Sequence, residues 1–168
     1  NHEFKGSRSS VGGLFVNKQA VGDGSDFNRT YAVNGKYGIG NKAQISGFYS
    51  RTSNDFESEG SQAAFKINTN YEWNGWIING GFTQVGEAFN PEVGFLSRTS
   101  FRKPEVLVLY KYRPNENSPL LELRPHISYR SYWNFEGFRN TSFLHVDNHW
   151  EFKNGMEVHT GVNFTGEG

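Results

Sequence analysis

Between Ala63 and Trp73 the chain alternates between two unlike faces, and an Asn-Gly pair follows at once. Ala63, Phe65, Ile67, Thr69, Tyr71 and Trp73 fall on one face; Ala64, Lys66, Asn68, Asn70 and Glu72 fall on the other. Successive side chains of a strand point to opposite sides of a sheet, so a period of two predicts a strand and argues against a helix. Asn74-Gly75 predicts a two-residue hairpin turn, because both central residues of a type I′ turn need positive φ. Such a turn pairs Trp73 with Trp76, Tyr71 with Ile78 and Ile67 with Phe82. The apolar faces of the two strands then coincide, and a slip of one residue would separate them.

The same alternation recurs along the chain, punctuated by Gly, Asn and Asp. It predicts about nine strands, near 8–20, 28–39, 43–53, 62–73, 76–86, 99–113, 120–136, 140–152 and 156–165. In the seventh, Leu121, Leu123, Pro125, Ile127, Tyr129, Trp133 and Phe135 alternate with Glu122, Arg124, His126, Ser128, Arg130, Tyr132, Asn134 and Glu136. In the eighth, Leu144, Val146, Trp150 and Phe152 alternate with His145, Asp147, His149 and Glu151. A Lys153-Asn154-Gly155 turn with Gly155 left-handed pairs Phe152 with Met156, and so sets His149 beside His159 and Glu151 beside Glu157. The expected fold is an all-β antiparallel up-and-down meander, one domain over 1–168, forming part of a transmembrane β-barrel. Connection lengths alternate too. Gly40-Asn41-Lys42, Asn74-Gly75, 115–119 and 153–155 are tight, while links at about 21–27, 53–61 and 87–98 are long. The link near Gly137-Phe138 should be long by this rule but reads short. Tight turns at one rim and long loops at the other are the habit of outer-membrane barrels.

Composition narrows the functions open to such a sheet. Lys plus Arg and Asp plus Glu are 17 each, so there is no basic excess to displace counterions from a nucleic acid. There is no Cys, which rules out disulfides and thiolate metal sites. Aromatic residues make up 16% of the chain, against the aromatic-poor composition of disordered segments. No run nears the ~20 apolar residues of a membrane helix, but membrane strands are shorter and leave a weaker signal. The chain opens on Asn1-His2-Glu3 and closes on Gly166-Glu167-Gly168, and both ends read as cut or processed.

Alternation alone does not say which face is wet. A lipocalin-type barrel is apolar inside, and a membrane barrel is apolar outside. Tyr71, Trp73, Trp76, Trp133, Phe135, Trp150 and Phe152 gather near strand ends on the apolar face, which suits headgroup depth in a membrane. On that arrangement Lys66, Asn70, Glu72, Glu122, Arg124, Arg130, Asp147 and Glu151 face a lumen, with Asp147 near Arg130. Mixed-charge ladders of this kind set pore selectivity in some channels and are idle solvated pairs in other proteins. A soluble sandwich or barrel with an aromatic core remains the alternative.

After residue 85 the chain reads Gly86-Glu87-Ala88-Phe89-Asn90-Pro91-Glu92-Val93-Gly94-Phe95. This segment resembles the G-E-x-F-N-P-E-V-G-F signature of a family of bacterial outer-membrane β-barrels of unknown function. The stretch from Arg8 to Gln19, the run Asn28-Arg29-Thr30-Tyr31, and Arg98, Arg102 and Lys103 are similar to it as well. The likeness covers roughly 7–105 and continues beyond by strand pattern alone. It implies an outer-membrane location and an apolar face that meets lipid. In the family the barrel usually follows a domain like carbohydrate-binding module family 9. That domain and the usual C-terminal aromatic are both missing from this sequence, so no sugar-binding residue carries over and a partial barrel completed by further strands is implied.

Three kinds of site follow. The loop motif Phe89, Asn90, Pro91, Glu92, Gly94 and Phe95 is either a rim-packing loop anchored by its two Phe or a constriction or recognition loop folded into the lumen. His145, Asp147 and His149 share one strand face, with His159 and His126 on neighbouring strands. Imidazoles and carboxylates together suit zinc, but no recognised spacing motif is present, and no metal site or cofactor is assigned. Glu87 and Glu92 are paired carboxylates of the type glycoside hydrolysis uses, on a loop whose spacing fixes no separation. No nucleophile elbow, phosphate loop or zinc-protease motif occurs. The expected function is that of a non-enzymatic outer-membrane barrel segment tied to carbohydrate binding or solute uptake. The alternatives are a soluble all-β binding module and a glycan-active hydrolase. The expected partners are membrane lipid, the remaining barrel strands and a carbohydrate or small solute, with no nucleic acid.

Overall fold

The structure is a computed structural model, and it describes residues 1–22, 26–55, 59–94 and 96–168. Its strands are β1 (His2–Phe4), β2 (Ser9–Gln19), β3 (Phe27–Ile39), β4 (Ala43–Asn54), β5 (Ala63–Trp73), β6 (Trp76–Val85), β7 (Phe101–Tyr110), β8 (Leu120–Trp133), β9 (Arg139–Phe152) and β10 (Glu157–Glu167). They form one ten-stranded sheet in sequence order, every neighbour antiparallel. The fold is therefore an all-β up-and-down meander. Nine strands are expected from alternation; the additional one is β1, too short to show a period. The sheet is open, since β1 pairs with β2 and β10 with β9 but not with each other.

The hairpins have the register that the turn residues dictate. Asn74 and Gly75 take φ of 52° and 86°, and Trp73 pairs with Trp76. Gly155 is left-handed at φ 83°, the Phe152 amide donates to the Met156 carbonyl, and His149 pairs with His159. The link between β8 and β9 is indeed short: the Asn134 amide donates to the Phe138 carbonyl, and Gly137 supplies the positive φ. Early in β8 the register shifts between Leu120 and Glu122, leaving Leu121 as a bulge. The pairing beyond it puts Arg124 opposite His149 and His126 opposite Asp147. Arg130 pairs instead with Phe143 and lays its guanidinium 4.5 Å from that ring, so the expected Asp147–Arg130 approach does not occur.

The two faces of the sheet differ in enclosure. Polar-face residues at one rim are buried: Thr52 is 0% exposed, Asn28 2% and Ala64 2%. On the other face Val33 is 58% exposed, Val162 54% and Phe164 58%, with Tyr31, Ile67, Trp73, Trp76, Ile127 and Val146 exposed as well. The lower exposure of polar-face residues along β3 to β9 marks that face as the inner, concave side of the sheet. Side chains from five adjacent strands, β4 to β8, line one cavity of about 480 Å³ on it, among them Asn68, Asn70, Asn79, Glu105, Ser128 and Arg130. Aromatic pairs across strands support the opposite face: Phe15 with Tyr31 at 5.1 Å, Phe65 with Phe82 at 5.8 Å, and Trp76 with Tyr110 at 4.7 Å. Such pairs contribute roughly 0.2–1 kcal/mol each.

Candidate functional site: the polar face and its loop

The segment between β6 and β7 crosses the mouth of the concave face. Gly86 N and Ala88 N donate to Ala63 O and Ser61 O, which extends the β5 pairing past Val85. Phe89 then turns inward and is buried with Ala64, Val85 and Phe101, against Leu96 and Tyr132. Asn90 N donates to Thr52 Oγ1 of β4 at 3.3 Å, and Asn28 Nδ2 of β3 donates to Asn90 O at 2.9 Å. Glu92 reaches Lys18 Nζ of β2 at 2.6 Å. The loop thus spans from β6 back to β2 over the ends of the intervening strands. Phe89 packs this loop onto the rim, and Asn90 ties it to Thr52 and Asn28 on the polar face. Pro91 and Gly94 lie at its far bend, with Gly94 at φ 143°; Phe95 lies outside the described residues. Glu87 and Glu92 serve different partners, Glu87 Oε2 accepting from Ser61 N and Glu92 pairing with Lys18.

Further down the face, ionic contacts bridge strands. Lys66 lies 3.7 Å from Glu105, which also holds Lys103 at 3.0 Å. Glu72 meets Lys111 at 3.5 Å near the tight rim. Asn70 and Arg130 line the cavity. Glu122, 6% exposed, accepts from Arg113 Nε at 2.7 Å. Register sets Glu122 directly opposite Glu151, a like-charge pairing that Arg124 relieves. Arg124 lies 3.8 Å from Glu122, 3.7 Å from Glu151 and 2.6 Å from Glu157. One guanidinium so joins β8, β9 and β10.

Beside this hub the imidazoles converge. The ring centroids of His126 and His145 are 5.1 Å apart, those of His126 and His149 5.3 Å, and those of His149 and His159 3.8 Å. Asp147 sits among them with its side chain 9% exposed; its Oδ2 is 3.2 Å from His149 Nε2 and 3.8 Å from His145 Nε2. All five side chains project from the polar face, because β8 contributes even positions, β9 and β10 odd ones, and the register aligns them. Sequence reasoning placed this cluster by register. It missed the Lys18, Asn28 and Thr52 anchors, since nothing local to those residues points to a loop tens of positions away. No protein-family model, no curated protein and no solved structure matches the chain.

Proposed function

We propose that this chain forms part of the wall of a bacterial outer-membrane β-barrel, its apolar convex face against lipid and its polar concave face lining a water-filled passage for small polar solutes. The observation that carries this reading is the inversion of the two faces. A protein folded for water buries its aromatic and aliphatic face, yet here Tyr31, Val33, Ile67, Trp73, Trp76, Val146 and Phe164 are exposed, while Asn28, Thr30, Ser50, Thr52 and Glu122 are buried. Exposed apolar patches on soluble monomers rarely exceed a few hundred Å², roughly 300–600 Å². An apolar band on a curved sheet with a hydrated interior is what a bilayer selects. The unpaired outer edges of β1 and β10 call for further strands, since exposed edges invite association. The resemblance of the Gly86 to Phe95 segment to an outer-membrane family agrees with this reading, and the inward-folded loop around Phe89 and Asn90 acts as the constriction at one mouth.

Phase partitioning and reconstitution test this reading. The chain is expected to enter detergent micelles and liposomes, with its strand spectrum kept. A monodisperse monomer in plain buffer, with tryptophan emission unchanged by added vesicles, would contradict it.

A further inference from the structure

We propose that His126, His145 and Asp147 form a binding site for a divalent transition metal of the zinc type, with Asn163 and His149 orienting the ligands. This goes beyond the wall-and-passage reading and stands whether or not the apolar face meets lipid. One candidate ligand atom from each of the three residues lies within 4.8 Å of the other two. Around a tetrahedral zinc with bonds of ~2.0–2.1 Å, ligand atoms are ~3.4 Å apart. The group therefore needs to contract by about an ångström, which side-chain torsions supply.

Two observations point to a cation. The first is Asp147. Its side chain is 9% exposed, its Oδ1 is inaccessible to solvent and accepts from no side chain, and among the described residues no Lys or Arg lies within ion-pair distance of it. A buried carboxylate left so is costly. The nearby guanidinium of Arg124 is already held by Glu157 at 2.6 Å.

The second is the tautomer of each imidazole. His145 Nδ1 lies 2.6 Å from Asn163 Oδ1, and His126 Nδ1 lies 3.2 Å from the Arg124 carbonyl oxygen. Both partners are acceptors, so each ring carries its proton on Nδ1 and presents the Nε2 lone pair. His145 Nε2 then faces Asp147 Oδ2 at 3.8 Å, an acceptor against an acceptor, which a cation between them would resolve. An Nδ1–H tied to an oxygen with Nε2 left free is the second-shell arrangement of ligating histidines. On the other side His149 Nε2, 3.2 Å from the same Oδ2, donates to it and fixes the carboxylate.

Two imidazoles and one carboxylate suit zinc, cobalt, nickel or copper; calcium and magnesium favour all-oxygen sets. Three protein ligands leave a fourth position for water or an anionic group of a solute. The site also staples β8 to β9, one strand from the unpaired edge of β10.

The test is titration of the folded, metal-stripped and tag-free chain in detergent with Co²⁺, read by its visible absorption, followed by Zn²⁺. Saturable, stoichiometric bands of a tetrahedral site are expected, lost on adding Zn²⁺ and untouched by a large excess of Mg²⁺ or Ca²⁺. Asp147→Asn and His126→Gln should each abolish the bands. Asn163→Ala, which only orients His145, should weaken binding ~10-fold. His159→Gln should leave the affinity unchanged. Zn²⁺ should also raise the melting temperature of the wild-type chain and not that of Asp147→Asn. Absence of saturable binding by a chain with its strand spectrum intact would overturn the proposal. So would displacement by Mg²⁺, or a loss that follows His159 while His126→Gln binds normally.

Discussion

The side-chain amide of Asn28, at the start of β3, donates to the backbone carbonyl of Asn90 in the loop after β6, 2.9 Å away across the width of two intervening strands. Asn28 is 2% exposed, so this bond is shielded from water. With Thr52 it pins the loop over the concave face. Replacing Asn28 with Ala removes the donor, at a cost of about 1–2 kcal/mol to the closed loop. Amide exchange at 88–92 should quicken while that of β7 to β9 is unchanged, and solute flux through reconstituted protein should rise.

The inverted faces predict opposite responses to charge. Val146 lies on the exposed apolar face and Asn70 on the polar one. In lipid vesicles Val146→Arg should lose about 2–4 kcal/mol of folding stability, the cost of a cation near mid-bilayer. Asn70→Arg should lose little, because water reaches that side. Reversible denaturation from vesicles measures both, and equal losses would show that the faces do not meet different solvents.

Arg124 holds three carboxylates together. Arg124→Met should leave Glu122, still held by Arg113, facing Glu151 without the bridging guanidinium and destabilise the folded chain by about 1–3 kcal/mol. High salt should narrow the difference between variant and wild type by screening the repulsion. The net change also removes a positive charge from the polar face, so the reversal potential across a salt gradient should shift toward cation preference.

Gly75 sits at φ 86° in the turn between β5 and β6, and a Cβ there would come within 2.8 Å of the Lys111 carbonyl oxygen. Gly75→Val should therefore cost more than the ~1–2 kcal/mol of a left-handed L-residue alone. The loss should appear in denaturant midpoints and in slower refolding of the hairpin. Asn74→Gly, at φ 52°, should be nearly neutral by the same measurements.

Acid should release a metal from the His126, His145 and Asp147 group, because protons compete for the same Nε2 and carboxylate positions. Zinc-dependent stabilisation of the wild-type chain should accordingly fade as pH falls, and the Asp147→Asn chain should show no zinc effect at any pH.

The strands, their order and most of their register were legible in the residues. Alternation of period two sorts side chains onto faces, and turns such as Asn74-Gly75 and Lys153-Asn154-Gly155 admit few backbone shapes, so pairs such as Trp73 with Trp76 and His149 with His159 follow from local chemistry. Alternation carries no sign, however. Which face is concave was decided only when ten strands lay side by side and their common curvature enclosed Thr52 and Asn28 while leaving Val33 and Phe164 outside. Contacts that skip strands were beyond the sequence for the same reason. The Phe89 to Glu92 loop finds Thr52, Asn28 and Lys18, and Arg124 finds Glu157, because the sheet carries distant residues to one rim or one face. Local periodicity determines what each strand presents; only the assembled sheet determines what it is presented to.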